Sequence, residues 1–402
     1  MSKHEPDHRK DTERLPEETA KKLQTMAMGV ALVGVGLSAV GYMGDKARFA
    51  FSFLTAFEWI TTIGIGALFF VMIQHVVRAG WSVAPRRHAE WITSILWVSP
   101  VLFVVGVVPN MHTLYEHWLG EHAAHDIIVK AKQSYLNSGF FLGRAAFFFL
   151  VFAVLAWFFQ TSSQKQDSSG ETSLTESMQK VAAPGLVLVA LSQTFAGFDW
   201  VMSMDPHWYS TIFGVYLFAG SMVSVLSVLA IVNMRLNSAG LLQKVSTVEH
   251  QHDIGKLLFG FTVFWTYIAF SQYFLIWYGN IPEETVFFKH RWVESWKDWT
   301  MLLLVGHFIV PVVVLMSRHT KRNKTILTVM AVWMLFMHYV DMYWLVMPNL
   351  DHHGVHFSIG DLGALMLCAG VGATVVARRA AGSPIFPLKD PRLAEAYKVE
   401  NL

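Results

Sequence analysis

The sequence predicts an all-α integral membrane protein with ten transmembrane helices, arranged as two four-helix bundles (spans 2–5 and 6–9) and two extra helices. Three observations predict this class. Of the 402 residues, 53% are hydrophobic and only 15% are charged, whereas soluble domains carry about 25% charged residues. The mean hydropathy is +0.40. Apolar segments long enough to cross a hydrocarbon core, which takes about 20 helical residues, recur ten times.

The ten apolar segments alternate with polar connections along the whole chain. They are residues 23–43, 49–77, 91–109, 139–160, 184–202, 208–234, 254–279, 299–317, 325–347 and 357–377. An even number of spans places both termini on one side of the membrane. Outside the spans, Lys and Arg number 22 on that side and 7 on the other, and basic residues accumulate on the cytoplasmic side. Both termini are therefore predicted to be cytoplasmic.

The polar connections divide the chain. Residues 161–177 contain nine Ser or Thr in seventeen positions, a composition typical of flexible linkers. Two long connections, 110–138 and 280–298, lie on the side opposite the termini and are predicted to be docking surfaces or lids. The predicted order is a cytoplasmic tail (1–22), spans 1–4 (23–160), a cytoplasmic linker (161–183), spans 5–10 (184–377) and a second cytoplasmic tail (378–402).

A weak internal repeat supports the two-bundle arrangement. Span 5 ends FAGFDWVMSMDPHW and span 9 ends MHYVDMYWLVMPNL, and in each an aspartate precedes a proline by seven residues. Asp199 and Pro206 are both 142 residues before their counterparts Asp341 and Pro348. Because spans 5 and 9 hold the same place in consecutive sets of four, spans 2–5 and 6–9 are predicted to be related units.

Cysteine and histidine content limits the cofactors that this chain can bind. A single cysteine, Cys368, excludes a disulfide framework, a cysteine-ligated iron–sulfur cluster and C-x-x-C-H haem attachment. Haem b needs two facing imidazoles, and His307 and His338 form the one mid-membrane pair in the sequence. No third ligand accompanies them at metal-binding spacing. The chain is therefore predicted to bind no haem, no other metal and no covalent cofactor.

The candidate functional residues are the polar side chains inside the spans. An ionised side chain near the bilayer centre costs about 2.5–3.5 kcal/mol on insertion scales, so such residues usually pair or serve a function. Most of these lie in the half of the membrane opposite the termini, which suggests a binding site or a proton route opening to that side. The candidates are Glu58, Arg144, Asp199, Gln272, His307, His338 and Asp341.

Each candidate also has a purely structural interpretation. His338 and Asp341 are three residues apart on one helix face and can satisfy each other. Arg144 can tie helices together by neutralising Glu58 or an aspartate. The repeat-related aspartates can cap helices or reach interfacial water. His307 stands alone in span 8, where an isolated histidine is more often a packed side chain than a ligand.

Two sequence runs resemble a known family. GFDWVMSMDPHWYSTIFGVY (197–216) and YFLIWYGNIPEET (273–285), together with the ten-span layout, resemble the NrfD-like superfamily of polysulfide reductase membrane subunits. More closely, the chain is similar to the ActF-type membrane subunits of bacterial alternative complex III, a quinol:cytochrome c oxidoreductase. The resemblance covers essentially the whole chain except the two tails and the 161–177 segment.

The resemblance implies a subunit of an oxidoreductase complex in the bacterial inner membrane. It implies quinol oxidation near the periplasmic face, with the better-attested quinol pocket of the complex in a paralogous membrane subunit, and a quinone or menaquinone at or near this subunit. A proton half-channel in this subunit fits the candidate residues given above. Partner subunits would carry the iron–sulfur clusters and c-type haems. They comprise a paralogous NrfD-like membrane subunit, an iron–sulfur/molybdopterin-like subunit and multihaem cytochromes c. Lipids and a terminal oxidase are further expected partners, and nucleic acid is not.

Two other functions stay open from the sequence, a secondary transporter and a purely structural membrane anchor of a redox complex. Transporters commonly contain helices broken by Gly or Pro near the midplane. Here most prolines of the spans are at span ends, and Pro100 and Pro311 are the interior ones. That distribution favours the respiratory subunit over the transporter.

Overall fold

The computed structural model describes residues 11–352 and 354–401. Within these ranges the chain is α-helical without a β-strand, and ten helices are long and apolar enough to cross a membrane. The predicted ten-span, multi-pass fold is therefore confirmed. The helices are α1 Glu17–Gly44, α2 Lys46–Val76, α3 Val83–Leu114, α4 Ser138–Ser169, α5 Thr172–Met204, α6 Phe213–Ser238, α7 Val248–Gly279, α8 Glu294–Met316, α9 Lys324–Asn349 and α10 Ile359–Ala381.

Helices α2–α5 form one four-helix bundle, α6–α9 form a second, and α1 packs along α10. The α1–α10 contact is close because glycines line it. A Cβ added at Gly34 would lie 2.3 Å from the backbone nitrogen of Leu367, so only glycine fits there. Small residues let membrane helices approach at backbone distance. We call the side that carries both chain ends the terminus side and the other the opposite side.

Helix α2 is the centre of the molecule and joins the two bundles. It packs against α5 in its own bundle, α6 and α9 in the other bundle, and α10. In the most apolar 18-residue stretch of α2, 89% of the residues are buried. A helix that is apolar all round is expected to be buried on every face. The carboxylate of Asp45 accepts a hydrogen bond from the Arg48 backbone N–H at 2.9 Å and caps its start. Polar side chains on α2 can therefore contact either bundle.

Irregular turns occur in α3, α8 and α9. Helices α3 and α9 contain matching 3₁₀ turns, Val108–Asn110 before the last turn of α3 and Met347–Asn349 at the end of α9, each with proline at its second position. π-helical segments occupy Phe103–Val107 of α3 and Leu303–Ile309 of α8. In α8 the cause is local: Pro311 lacks a backbone N–H and cannot continue the regular hydrogen-bond pattern. Such turns change the direction of the side chains they carry.

The prediction that residues 161–177 form a flexible linker is wrong. Helix α4 continues to Ser169 and α5 begins at Thr172. Gly170 ends α4 in the left-handed region at φ 72°, a common C-terminal cap. The serines and threonines tolerate the helix because their hydroxyls bond to the preceding turn; Thr161 Oγ1, for example, donates to the Trp157 carbonyl at 2.7 Å.

Both predicted tails are shorter than expected, because α1 begins at Glu17 and α10 continues to Ala381. Residues 1–10 of the first tail and residue 402 of the second lie outside the described residues. The described remainder packs on the terminus side. Asp11 accepts hydrogen bonds from the backbone N–H groups between α6 and α7, including that of Gln243 at 2.6 Å. Asp390 of the second tail forms a buried ion pair with Arg86.

The two long connections on the opposite side fold into short helices over the bundle ends. The first contains Glu116–Leu119 and Ile127–Ala131, and the second contains Pro282–His290. A tryptophan hydrogen bond fixes each connection to a neighbouring segment. Trp118 Nε1 donates to the Ser203 carbonyl at 3.0 Å, and Trp296 Nε1 donates to the Asp351 carbonyl at 2.9 Å. These segments close the opposite end of each bundle above the candidate residues.

Candidate functional site

The first bundle contains a buried ion pair between α4 and α5. Arg144 Nε donates to Asp199 Oδ2 at 2.7 Å, and its Nη2 donates to Oδ1 at 3.0 Å. Nη1 donates to the Tyr135 carbonyl at 2.9 Å, and the guanidinium lies over the rings of Tyr135 and Phe140. The Asp199 side chain is fully buried. This two-point geometry satisfies both charges, as expected of a structural tie.

Glu58, on α2, does not join this ion pair. Its side chain is 3% exposed, and Oε1 has no hydrogen-bond partner among the described residues. Tyr115 is within electrostatic range of both Glu58 and Asp199, while its hydroxyl donates to the Trp200 carbonyl at 3.0 Å. Arg144 therefore neutralises Asp199 and leaves Glu58 without an ion-pair partner in the described part of the chain.

Asp341, the repeat counterpart of Asp199, has neutral partners. It sits on α9, where Oδ1 accepts a hydrogen bond from the Tyr216 hydroxyl of α6. Oδ2 accepts from Trp265 Nε1 of α7 at 3.1 Å. Across the described residues, no Lys, Arg or His lies within ion-pair distance of it. Asp341 can therefore gain or lose a proton without breaking an ion pair.

His338 connects the second bundle to α2 and does not hydrogen-bond to Asp341. Its Nε2 lies 2.9 Å from Thr62 Oγ1, and that hydroxyl is 2.7 Å from the Glu58 carbonyl. Because the carbonyl can only accept, the hydroxyl donates to it and accepts from Nε2–H. Nδ1 is then the unprotonated nitrogen, and it has no partner among the described residues. His338 and Asp341 both face Gly220, where an added Cβ would lie 3.2 Å from His338 Cε1.

His307 lies in the π-helical segment of α8. Neither ring nitrogen has a hydrogen-bond partner within the described ranges. The ring meets Trp265 edge-on, with the centroids 3.8 Å apart, and is within electrostatic range of His338. The π turn releases backbone carbonyls, and that of Gly306 accepts from Trp333 Nε1 at 2.7 Å. His307, Trp265 and Asp341 are thus consecutive neighbours.

Gln272 lies apart from these ionisable groups and lines a cavity. The cavity has a volume of about 670 Å³ and lies between α6, α7, α8, α9 and the connection above them. Its walls are apolar and aromatic, and include Tyr216 and Trp265, the two donors to Asp341. The Gln272 amide bonds to no other described side chain. Exposed lining residues such as Phe270 and Leu304 place the opening on the lipid-facing surface.

Sequence reasoning missed Arg291, which is 2% exposed in the connection between α7 and α8. Its guanidinium donates to the carbonyls of Trp344 at 3.0 Å, Leu345 at 2.9 Å and Phe287 at 2.8 Å. Burial lowers the pKa of Arg291 to about 9, which leaves it charged at neutral pH. The cation therefore stabilises the C-terminal end of α9, where two of these carbonyls lie. Nothing in the local sequence distinguishes Arg291 from an exposed loop arginine.

A second group of charges on the terminus side was also missed. The predicted third span begins at residue 91, but α3 begins at Val83, and its first turns are buried. These turns contain the polar residues Arg86, Arg87, His88 and Glu90. Arg87 Nη2 lies 2.8 Å from Asp167 Oδ2, and His88 Nδ1 is 3.0 Å from Asn233 Nδ2. The proline of the run, Pro85, suits the first turn of a helix and was the available signal.

The arrangement offers proton-exchanging groups beside an apolar cavity. Within the described ranges, no three His, Cys, Asp or Glu side chains come together as a metal site. The polar residues instead form a series from Asp341 through Trp265 and His307 to His338, and from there across Thr62 to the helix that carries Glu58. No protein-family model matches this chain, and no curated protein matches it significantly.

Proposed function

We propose that this chain is a membrane subunit of a respiratory quinol:cytochrome c oxidoreductase, and that quinol binds in the 670 Å³ cavity of its second bundle. The observation that carries the proposal is the shared wall: Tyr216 and Trp265 line the cavity and also hold the buried carboxylate of Asp341. A hydroxyl group bound there would be one side chain away from a proton acceptor.

The cavity has the size and chemistry that a quinol needs. Small-molecule sites are typically about 300–1,000 Å³, mostly apolar, with a few polar groups that orient the ligand. A quinol has a flat aromatic ring, two hydroxyls and an isoprenoid tail. Aromatic walls suit the ring, the unpaired Gln272 amide can bond one hydroxyl, and the opening at Phe270 and Leu304 leaves the tail in lipid.

Oxidation of one quinol releases two protons and two electrons. At this site Tyr216 would accept the first proton from a quinol hydroxyl while it donates its own proton to Asp341 Oδ1, so the carboxylate ends protonated. The second proton would follow the same route after Asp341 has given up the first. His338 and His307 are the next titratable side chains of the series. The electrons leave through partner subunits with iron–sulfur clusters and c-type haems, as the family resemblance implies.

The assembly and location of the protein follow from the same proposal. The chain would sit in a bacterial inner membrane with its terminus side cytoplasmic, since 22 of the Lys and Arg residues outside the spans lie there and 7 on the opposite side. The cavity is then in the periplasmic half of the membrane, so the protons of the quinol would be released into the periplasm. A paralogous membrane subunit, an iron–sulfur/molybdopterin-like subunit and multihaem cytochromes c would be its partners.

A structural role is the second candidate, and it applies to the first bundle. Arg144 and Asp199 satisfy each other with two short hydrogen bonds, and a cation–π contact with Tyr135 holds the guanidinium. Protonation of Asp199 would break this ion pair and leave the Arg144 charge without its partner, so the pair is not suited to exchange protons. We propose that the first bundle chiefly anchors the complex, while the second binds quinol.

Quinone binding to the full-length protein in lipid nanodiscs tests the proposal. The probe is a short-chain benzoquinone or naphthoquinone, titrated calorimetrically. Ala269 lines the cavity, so Ala269→Phe should fill it and weaken binding at least roughly tenfold, about 1.4 kcal/mol. The matched control is Ala146→Phe on the exposed face of α4, which should bind like the wild type. Equal affinity in both variants would refute a quinol site in this cavity.

A further inference from the structure

A second groove lies on the terminus side, where α3, α4 and α10 meet, far from the quinol cavity. Its volume is about 430 Å³, and it is mixed in character, with hydroxyl, amide, indole and guanidinium groups around it. We propose that this groove binds the phosphodiester headgroup of an anionic phospholipid and that the lipid's acyl chains extend from it into the membrane.

The order of residues along the three helices points to a lipid rather than a soluble ligand. On each helix a polar residue lies toward the terminus side, and an apolar or aromatic residue lies one turn deeper in the membrane. The pairs are Ser94 with Trp97 on α3, Thr161 with Trp157 on α4, and Arg378 with Val375 on α10. Helix α3 runs away from the terminus side and α4 and α10 run toward it, yet all three present the same polar-to-apolar gradient, which matches a phospholipid from headgroup to chain.

Two unpaired cations occupy the polar end of the groove. Arg378 and Arg379 are in the last turn of α10, and neither forms an ion pair with a carboxylate of the described residues. Glu90 is within electrostatic range of Arg379, so that charge is partly balanced. Arg378 is exposed and has no such balance. The polar end therefore keeps a net positive charge, and a basic pocket between transmembrane helices attracts anionic headgroups.

Arginines at the end of a membrane helix are ordinary, since they reach the interface and favour the helix C-terminus. The groove adds what that role does not require. Gln160, 4% exposed, lines it and is held by hydrogen bonds from its Nε2 to Thr93 Oγ1 at 2.7 Å and Ser94 Oγ at 3.2 Å. Trp97 and Trp157, 42% and 54% exposed, flank its deeper part, as indoles do at membrane interfaces.

Thermal unfolding of the full-length protein in defined lipid tests this site. Phosphatidylglycerol should raise the melting temperature of the wild type above its value in phosphatidylcholine. Arg378→Gln/Arg379→Gln should abolish that difference, with a loss of at least roughly tenfold in phosphatidylglycerol affinity by native mass spectrometry. The matched control, Arg235→Gln in the last turn of α6, should keep it. Arg378 is exposed, so Arg378→Gln alone provides the measurement if the double variant does not fold.

Three results would overturn the proposal. Equal stabilisation of the wild type by phosphatidylcholine would mean that the groove holds no charge-selective lipid. The same stabilisation by inorganic phosphate alone would indicate a soluble-anion site. An undiminished phosphatidylglycerol effect in the Arg378→Gln variants would place any lipid elsewhere.

Discussion

Asp199 and Asp341 occupy equivalent positions 142 residues apart, but Asp199 is neutralised by Arg144 whereas Asp341 accepts hydrogen bonds from the uncharged side chains Tyr216 and Trp265. One repeat therefore fixes its aspartate in an ion pair, and the other keeps it free to exchange a proton. We infer that this difference separates an anchoring bundle from a quinol-binding one.

The ion pair in the first bundle should behave as a structural element. Either Asp199→Leu or Arg144→Met leaves one buried charge unpaired, which costs about 3–5 kcal/mol. The double variant removes both charges and should regain most of that stability. Thermal unfolding and folded yield of the single and double variants measure the effect. If both single variants fold as stably as the wild type, the pair is not a tie between α4 and α5.

The ten spans were predictable because each is a predominantly apolar stretch, and crossing the hydrocarbon core of a membrane requires about 20 such residues in a helix. The helical start of α3 was not, because Arg86 and Arg87 lower its hydropathy although their carboxylate partners permit burial. The prediction of a flexible linker at 161–177 is wrong for a related reason: a composition rich in Ser and Thr does not show whether a neighbouring helix hydrogen-bonds to these side chains. Ser163 is buried and accepts a hydrogen bond from Arg87.

The candidate site was only partly predictable. Intramembrane polarity identified Asp341, His338, His307 and Gln272 as a set, since a buried polar side chain in a membrane needs a reason to be there. Their partners come from other helices, and no spacing within one helix indicates them. The structural interpretation in which His338 and Asp341 satisfy each other does not hold for this reason: His338 bonds to Thr62, 276 residues away.

Arg291 should matter for both stability and ligand affinity. Arg291→Met leaves three carbonyls without their donor, and hydrogen bonds to charged groups are worth about 1.5–3 kcal/mol each. Arg291→Lys keeps the charge with fewer donors and should recover part of the loss. Because Phe287 and Trp344 line the cavity, quinone affinity should fall with melting temperature. Unchanged quinone affinity in a destabilised Arg291→Met protein would show that the hydrogen bonds of Arg291 stabilise the fold without shaping the cavity.

Thr62 should affect proton transfer without affecting quinone binding. Thr62→Val keeps the side-chain shape but removes the hydroxyl that connects His338 to α2, while Thr62→Ser retains it. We expect slower proton release during quinol oxidation in Thr62→Val, a rate near the wild type in Thr62→Ser, and equal quinone affinity in both. A wild-type rate in Thr62→Val would remove this contact from the proton route.

Cysteine labelling tests the proposed orientation, and the background is low because the single native cysteine, Cys368, is buried. Ser168→Cys lies on the terminus side and Glu121→Cys on the opposite side, and both positions are exposed. In intact spheroplasts an impermeant maleimide should label Glu121→Cys at once and Ser168→Cys only after lysis. The reverse pattern would invert the topology and move the cavity to the cytoplasmic half.

The central claim is that Asp341 accepts the proton of a quinol bound next to it. Asp341→Asn should preserve the fold, because the amide oxygen can accept from Trp265 while its NH₂ group donates to the Tyr216 oxygen. Asp298→Asn changes an exposed carboxylate on the same side and is the control. The decisive measurement is quinol oxidation with proton release by the whole complex in reconstituted vesicles. We predict a rate lower by roughly 100-fold in Asp341→Asn, with quinone affinity retained and Asp298→Asn unaffected. A fully assembled Asp341→Asn complex with the wild-type rate and proton-to-electron stoichiometry would contradict the account.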